Sequence, residues 1–82
     1  MLQPKLVNVD STSDYKLKLC YESGERKIFD VTPYISGEWY CQLKDINYFK
    51  TVRVVSGGIG IEWPNGQDIA PHELYELSVP QG

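Results

Sequence analysis

Tyr15-Lys16-Leu17-Lys18-Leu19-Cys20-Tyr21-Glu22 alternates without a break, and its reading decides the fold. Tyr15, Leu17, Leu19 and Tyr21 point one way and Lys16, Lys18, Cys20 and Glu22 the other, which is the pattern of a half-buried strand. Ser23-Gly24-Glu25 joins it to the run Arg26 to Val31. A two-residue loop would set Leu17 against Asp30 and Lys18 against Phe29, a charge against an apolar side chain on each face. A three-residue loop, with Gly24 or a neighbour in the left-handed conformation, pairs Leu17 with Val31 and Leu19 with Phe29. On the other face it pairs Lys18 with Asp30 and Glu22 with Arg26. Both faces are satisfied, so a hairpin in this register is expected.

Outward from this hairpin the chain alternates short strands with breakers. Lys5 to Asp10 reads as a strand with Val7 and Val9 on one face, and Ser11 to Asp14 as its exit turn. Pro33 marks one helical turn, ended by Ser36-Gly37. Asp45 is an N-cap candidate for one or two turns that would lay Leu43, Ile46 and Phe49 on the sheet. Gly57-Gly58 signals a two-residue hairpin pairing Val54 with Ile61, Val52 with Trp63 and Arg53 with Glu62. Pro64-Asn65-Gly66 is a turn, Gln67-Asp68-Ile69 a short extended piece, and Pro71 the first helical residue of a segment bringing Leu74 and Tyr75 back to the sheet. The expected class is α+β: a small antiparallel sheet, a three-stranded meander plus a hairpin, with one or two short helices.

The whole chain has 82 residues, which makes a single domain over 1–82 in which each local feature matters to stability. Its 41% hydrophobic and 23% charged residues exclude a disordered tail, a fibre and a membrane span. Eight Lys plus Arg against eleven Asp plus Glu leave a net charge of −3, so nucleic acid is not an expected partner for this chain alone. Two cysteines, Cys20 and Cys41, are too few for a disulfide framework. Met1-Leu2-Gln3-Pro4-Lys5 carries no signal-peptide pattern, so a cytoplasmic protein with unpaired thiols is expected.

The string Asp14-Tyr15-Lys16-Leu17, Ser23-Gly24-Glu25, Phe29-Asp30-Val31 with Pro33-Tyr34, and Glu62-Trp63-Pro64-Asn65-Gly66-Gln67-Asp68-Ile69 with Leu74-Tyr75 resembles the bacterial domain of unknown function (DUF) 2442 family. The resemblance runs from about Pro4 to Pro80, and Trp-Pro-Asn-Gly-x-Asp-Ile is its most specific part. It implies a compact β-rich α+β unit similar to the N-terminal domain of a nitrosomonad protein of unknown function. It also implies a gene context: single-domain members beside another small gene, in an arrangement similar to toxin and antitoxin pairs, and some members fused to a helix-turn-helix domain. The resemblance carries Asp30, Trp63, Asn65, Gly66 and Asp68 as pattern positions, for which turn chemistry is the first explanation.

Candidate chemistry is sparse. His72 is the only histidine, which excludes a two-imidazole metal site, and beside Pro71 it reads as a surface residue. A thiol at Cys20 or Cys41 with His72 as base has no local motif behind it. Asp30 and Asp68 read as structural carboxylates, the first facing Lys18 and the second accepting backbone N–H groups after the Asn-Gly turn. Gly57-Gly58-Ile59-Gly60 precedes a strand and lacks the Lys-Ser/Thr of a phosphate loop. No cofactor is expected. Trp39, Tyr40 and Tyr48 are the candidate partner-binding residues, since aromatics concentrate at interface hot spots. The expected function is a non-enzymatic interaction module, the antitoxin-like or accessory partner of a neighbouring small toxin-like protein, acting through a sheet edge or the segment Trp39 to Phe49; a homodimer is also open. The alternatives are a small-ligand or enzymatic pocket near Trp63 to Asp68, and an accessory role to a DNA-binding regulator.

Overall fold

Alternation gives β2 (Lys16–Tyr21) one buried face, Leu17, Leu19 and Tyr21, and the computed structural model, which describes residues 4–81, builds the main sheet on it. β1 (Leu6–Ser11) and β3 (Arg26–Asp30) flank it antiparallel. A short strand near the C-terminus, Val79–Pro80, pairs with β3 to give the order β1, β2, β3, Val79–Pro80. A second sheet holds β4 (Arg53–Val54), β5 (Ile61–Glu62) and β6 (Asp68–Ile69), which makes Val79–Pro80 β7. The helices are α1 (Thr32–Ile35), α2 (Ile46–Phe49) and α3 (Pro71–Leu77), with a 3₁₀ turn at Cys41–Lys44. This is a small α+β fold dominated by antiparallel sheet. The reading of Met1-Leu2-Gln3 as free of a leader lies outside the described residues.

The β2–β3 loop has three residues, but they are Glu22-Ser23-Gly24, one position earlier than expected. Tyr21 N–H donates to Glu25 O at 3.0 Å, Gly24 N–H donates to Tyr21 O at 2.9 Å, and Gly24 holds φ 93°. Leu17 therefore faces Phe29, Lys18 faces Ile28 and Lys16 faces Asp30. The expected pairs Lys18 with Asp30 and Leu17 with Val31 do not form. The register has moved by two residues, which leaves every side chain on its expected face. The closing bonds of the turn and its left-handed glycine choose between the two registers.

β1 departs from simple alternation. A bulge between Leu6 and Asn8 puts Leu6 opposite Tyr21 and Val9 opposite Leu19, while Val7 turns outward. The expected shared face of Val7 and Val9 is therefore split, because the extra residue of a bulge reverses the parity of the residues beyond it.

The register of β4 and β5 is as expected, Arg53 facing Glu62 and Val54 facing Ile61, with Arg53 Nη2 3.0 Å from Glu62 Oε1. The loop is wider than the two glycines. Val55 N–H to Gly60 O at 2.9 Å is the last rung, and Leu6 N–H donates to Gly58 O at 2.9 Å. That bond ties the hairpin tip to β1, and a Cβ on Gly58 would lie 2.6 Å from Leu6 O. The core that closes beneath both sheets includes Leu17, Leu19, Phe29, Val31, Leu43, Phe49, Ile61, Trp63, Ile69 and Leu74. Each such side chain contributes about 1.5–3 kcal/mol on burial.

Candidate functional site

The family-pattern stretch Trp63 to Asp68 folds as a second three-residue turn. Trp63 N–H donates to Gln67 O at 2.8 Å, Gly66 N–H donates to Trp63 O at 2.9 Å, and Gly66 holds φ 97°. Pro64 suits the first corner of such a turn and Gly66 the left-handed position. The Trp63 indole is buried, and its N–H donates to Phe49 O at 3.0 Å. Asp45 caps the short helix that presents that carbonyl, accepting from Asn47 N–H at 3.0 Å.

Side chains from the segment 39–48 then clasp the turn. Tyr48 Oη donates to Gln67 Oε1 at 2.6 Å and accepts from Asn65 N–H at 2.8 Å. Gln67 Nε2 donates to Trp39 O and to Gln42 Oε1, both at 3.2 Å, and Asn65 Nδ2 donates to Gln42 Oε1 at 2.7 Å. Gln67 is only 2% exposed, so these partners satisfy an amide that would otherwise be costly to bury. Gln42 and Gln67 are not among the candidates that sequence reasoning singles out. A signal for Gln67 does exist: in Gln67-Asp68-Ile69 the alternation puts a polar side chain on the face of a buried isoleucine.

Tyr40 Oη donates to Asp68 O at 2.9 Å, and the Tyr40 ring meets Tyr34 edge to face at 5.7 Å. Asp68 was expected to take turn N–H groups on its carboxylate; it lies past the turn, on β6 opposite Glu62, and its carbonyl is the bonded atom. Three donors of the turn are taken elsewhere, Gly66 N–H by Trp63 O, Trp63 N–H by Gln67 O and Asn65 N–H by Tyr48 Oη. Asp30 also has a partner other than the expected Lys18. Its Oδ1 accepts from Thr32 N–H at 2.9 Å, and the Thr32 side chain, followed by that N–H, lowers its pKa below the usual carboxylate value. Burial, followed by nearby carboxylates, raises the pKa values of Tyr34, beside Glu73, and Tyr40, beside Asp68 and Glu73.

Of the candidate partner-binding residues, Trp39 is 56% exposed, while Tyr40 and Tyr48 are half-buried with their hydroxyls engaged inside the fold. A groove of about 400 Å³ opens between Phe29, Asp30, Pro33, Tyr34 and Leu77. It takes no residue from the Pro64 to Asp68 turn, where a ligand pocket was an alternative expectation. His72 is exposed on α3, Cys20 half-buried on β2, and Cys41 exposed at the 3₁₀ turn with its thiol donating to Glu38 O at 3.1 Å. Both thiols are free. Among the described residues no three His, Cys, Asp or Glu side chains gather in a metal-ligating group, and no helix is long and apolar enough to cross a membrane.

No curated protein and no solved structure matches the chain. A family model described as Protein of unknown function (DUF2442) matches residues 6–80.

Proposed function

Because the chain belongs to the DUF2442 family, whose description assigns no activity, we propose from its surface that it is a non-enzymatic, cytoplasmic protein-interaction module, the antitoxin-like or accessory half of a two-protein bacterial system. The observation that carries this reading is the open ring of Trp39, more than half exposed and seated over the glycine of a turn that five hydrogen bonds hold still. A rigid, exposed aromatic on a supported turn costs little ordering entropy on binding, which is what an interface anchor requires.

The same geometry favours this face over the sheet edges. β7 is two residues long and contains Pro80, β1 is bulged and bonded to Gly58 O, and the carbonyl of Asp68 on β6 is taken by Tyr40. Short, bulged or covered edges resist strand addition. The expected partner is the product of the neighbouring gene. Co-expression followed by size-exclusion chromatography is expected to give co-elution that Trp39→Ala weakens at unchanged melting temperature. Separate elution of the two wild-type proteins would overturn the reading.

A further inference from the structure

We propose that Asn65-Gly66 is a modification site, at which the chain converts to aspartate and isoaspartate without an enzyme, and that the clasp from the segment 39–48 holds the reaction off. The inference goes beyond the interaction reading and does not depend on it. Of the three asparagines, Asn8 precedes valine, Asn47 precedes tyrosine and Asn65 precedes glycine. Asparagine is among the chemically labile residues, and a following glycine leaves the attacking backbone nitrogen unshielded by a side chain. Asn65 and Gly66 are both exposed, so water reaches them. Solvent water is the only co-reactant needed. The Gly66 backbone nitrogen gives its proton to solvent and bonds to Asn65 Cγ, while the Cγ–Nδ2 bond breaks and the side-chain nitrogen takes a proton and leaves as ammonia. Water then opens the resulting imide ring. Cleavage between Gly66 N and Cγ gives aspartate, and cleavage between Gly66 N and the Asn65 backbone carbonyl carbon gives isoaspartate, with the chain running through Cγ.

Three bonds oppose this in the folded turn: Gly66 N–H donates to Trp63 O at 2.9 Å, Asn65 Nδ2 donates to Gln42 Oε1 at 2.7 Å, and Asn65 N–H donates to Tyr48 Oη at 2.8 Å. Attack needs a free Gly66 nitrogen and an Asn65 side chain free to bring Cγ onto it, so the first two bonds must be released. The third holds the Asn65 backbone against the rotation that would align them. The turn therefore has to open locally before it reacts, and the rate follows the open fraction. The product keeps it open. A carboxylate in place of Nδ2 faces Gln42 Oε1 as acceptor against acceptor, and isoaspartate adds a backbone atom to a three-residue loop. Conversion is thus a one-way loosening of the turn on which the Trp39 ring sits.

The test is incubation of the full chain at neutral pH and physiological temperature, native and in guanidinium chloride, with peptide mapping by mass spectrometry and isoaspartate detected by enzymatic methyl transfer. In the denatured chain, conversion at Asn65 is expected to run well ahead of Asn8 and Asn47, and Gly66→Ala is expected to suppress it. In the native chain, conversion at Asn65 is expected to be slower by roughly tenfold or more, as closure of a local unit predicts. Gln42→Ala, at an exposed position, and Tyr48→Phe are each expected to raise the native rate several-fold. Leu19→Val, which trims the core of the main sheet away from the clasp, is expected to leave it unchanged and separates local opening from global unfolding. A denatured chain in which Asn65 converts no faster than Asn8 or Asn47 overturns the site. Equal native and denatured rates for the wild type, or equal acceleration by Leu19→Val and Gln42→Ala, overturn the gate.

Discussion

Tyr21 to Glu25 and Trp63 to Gln67 are the same turn in two settings. Each is closed by an aromatic residue, spans three residues, and ends its loop on a left-handed glycine, Gly24 or Gly66, with matching closing bonds. Around Gly24 nothing lies within 4 Å of where a Cβ would stand; Ser23 Oγ bonds Glu25 Oε1 at 3.0 Å, and the longer-range bonds are at the loop's two ends, Glu22 N–H to Lys5 O and Tyr75 Oη to Glu25, both at 2.8 Å. Around Gly66 the Trp39 ring closes in at 3.9 Å, and Tyr48, Gln42 and Gln67 lock the loop to a segment about twenty residues earlier. Local chemistry therefore makes the turn, and tertiary contacts decide whether it is a connector or a platform.

The closing aromatics extend the contrast. Trp63 satisfies its indole N–H on Phe49 O, whereas the Tyr21 hydroxyl is buried with no partner among the described residues. Its ring packs edge to face on Tyr75 at 5.1 Å. Tyr75 in turn lies under Lys27 Nζ at 3.9 Å and donates to Glu25 at 2.8 Å, which docks α3 against the sheet. A third loop shows what happens without glycine. Between β1 and β2, Tyr15 takes φ 63°, a conformation that costs a side-chain-bearing residue about 1 kcal/mol or more. Its hydroxyl bond to Lys44 O at 2.6 Å and its contact with Phe49 at 5.3 Å offset that strain.

Substitutions can break this comparison at each level. The largest effect is expected at Trp63→Ala, about 3–5 kcal/mol by chemical denaturation, from a lost core side chain and an orphaned Phe49 carbonyl; a loss under about 1 kcal/mol would deny the platform its foundation. Next comes Tyr48→Phe, which strips Gln67 Oε1 and Asn65 N–H of their shared hydroxyl and should cost about 1–3 kcal/mol. The equivalent trimming of the other turn, Ser23→Ala, should stay within about 0.5 kcal/mol, so equal effects would erase the distinction. Gly24→Ala and Gly66→Ala should each cost roughly 1 kcal/mol, and by similar amounts, because the backbone conformation rather than the neighbours sets the penalty.

At neutral pH Tyr21→Phe is also expected to change stability little, within about 0.5 kcal/mol of either sign, since the lost hydroxyl has no bond to lose. Its signature is alkaline. Burial, followed by nearby Tyr75 and Glu25, pushes the Tyr21 pKa from 10.0 up to about 12. The folded state favours the neutral phenol, so this contribution is full below pH 10 and disappears as pH rises toward about 12. Denaturation midpoints measured across that range should fall less steeply for Tyr21→Phe than for the wild type. Parallel curves would show that Tyr21 titrates normally.

Much of this is legible in the residues. Alternation in Lys16 to Tyr21 assigns each face of β2, Asp45 announces α2, Pro71 opens α3, and Asn65-Gly66 marks a turn. The candidate site is less so. Trp39 stands out by its type, but its place over Gly66 depends on Gln42, Tyr48 and Gln67 meeting across the chain. The groove joins Phe29 to Leu77, residues that no local pattern relates. β7 escapes a sequence reading because two residues ending in proline carry no periodicity, and only the exposed backbone of β3 recruits them.

By itself, then, the sequence determined the α+β class, the side of the sheet on which each β2 and β3 residue lies, and the turns. Those follow from hydrophobic period and backbone preference, which act over a few residues. Tertiary structure alone decided the bulge that separates Val7 from Val9 and the clasp that turns Trp63 to Gln67 into a platform, while the β2–β3 register was settled by the closing bonds of its turn. A slip of two residues leaves every side chain on its own face, so burial is blind to it. The closing bonds of the turn distinguish those registers, whereas the clasp depends on which distant N–H, carbonyl and hydroxyl groups are satisfied, and those partners exist only once the chain has closed on itself.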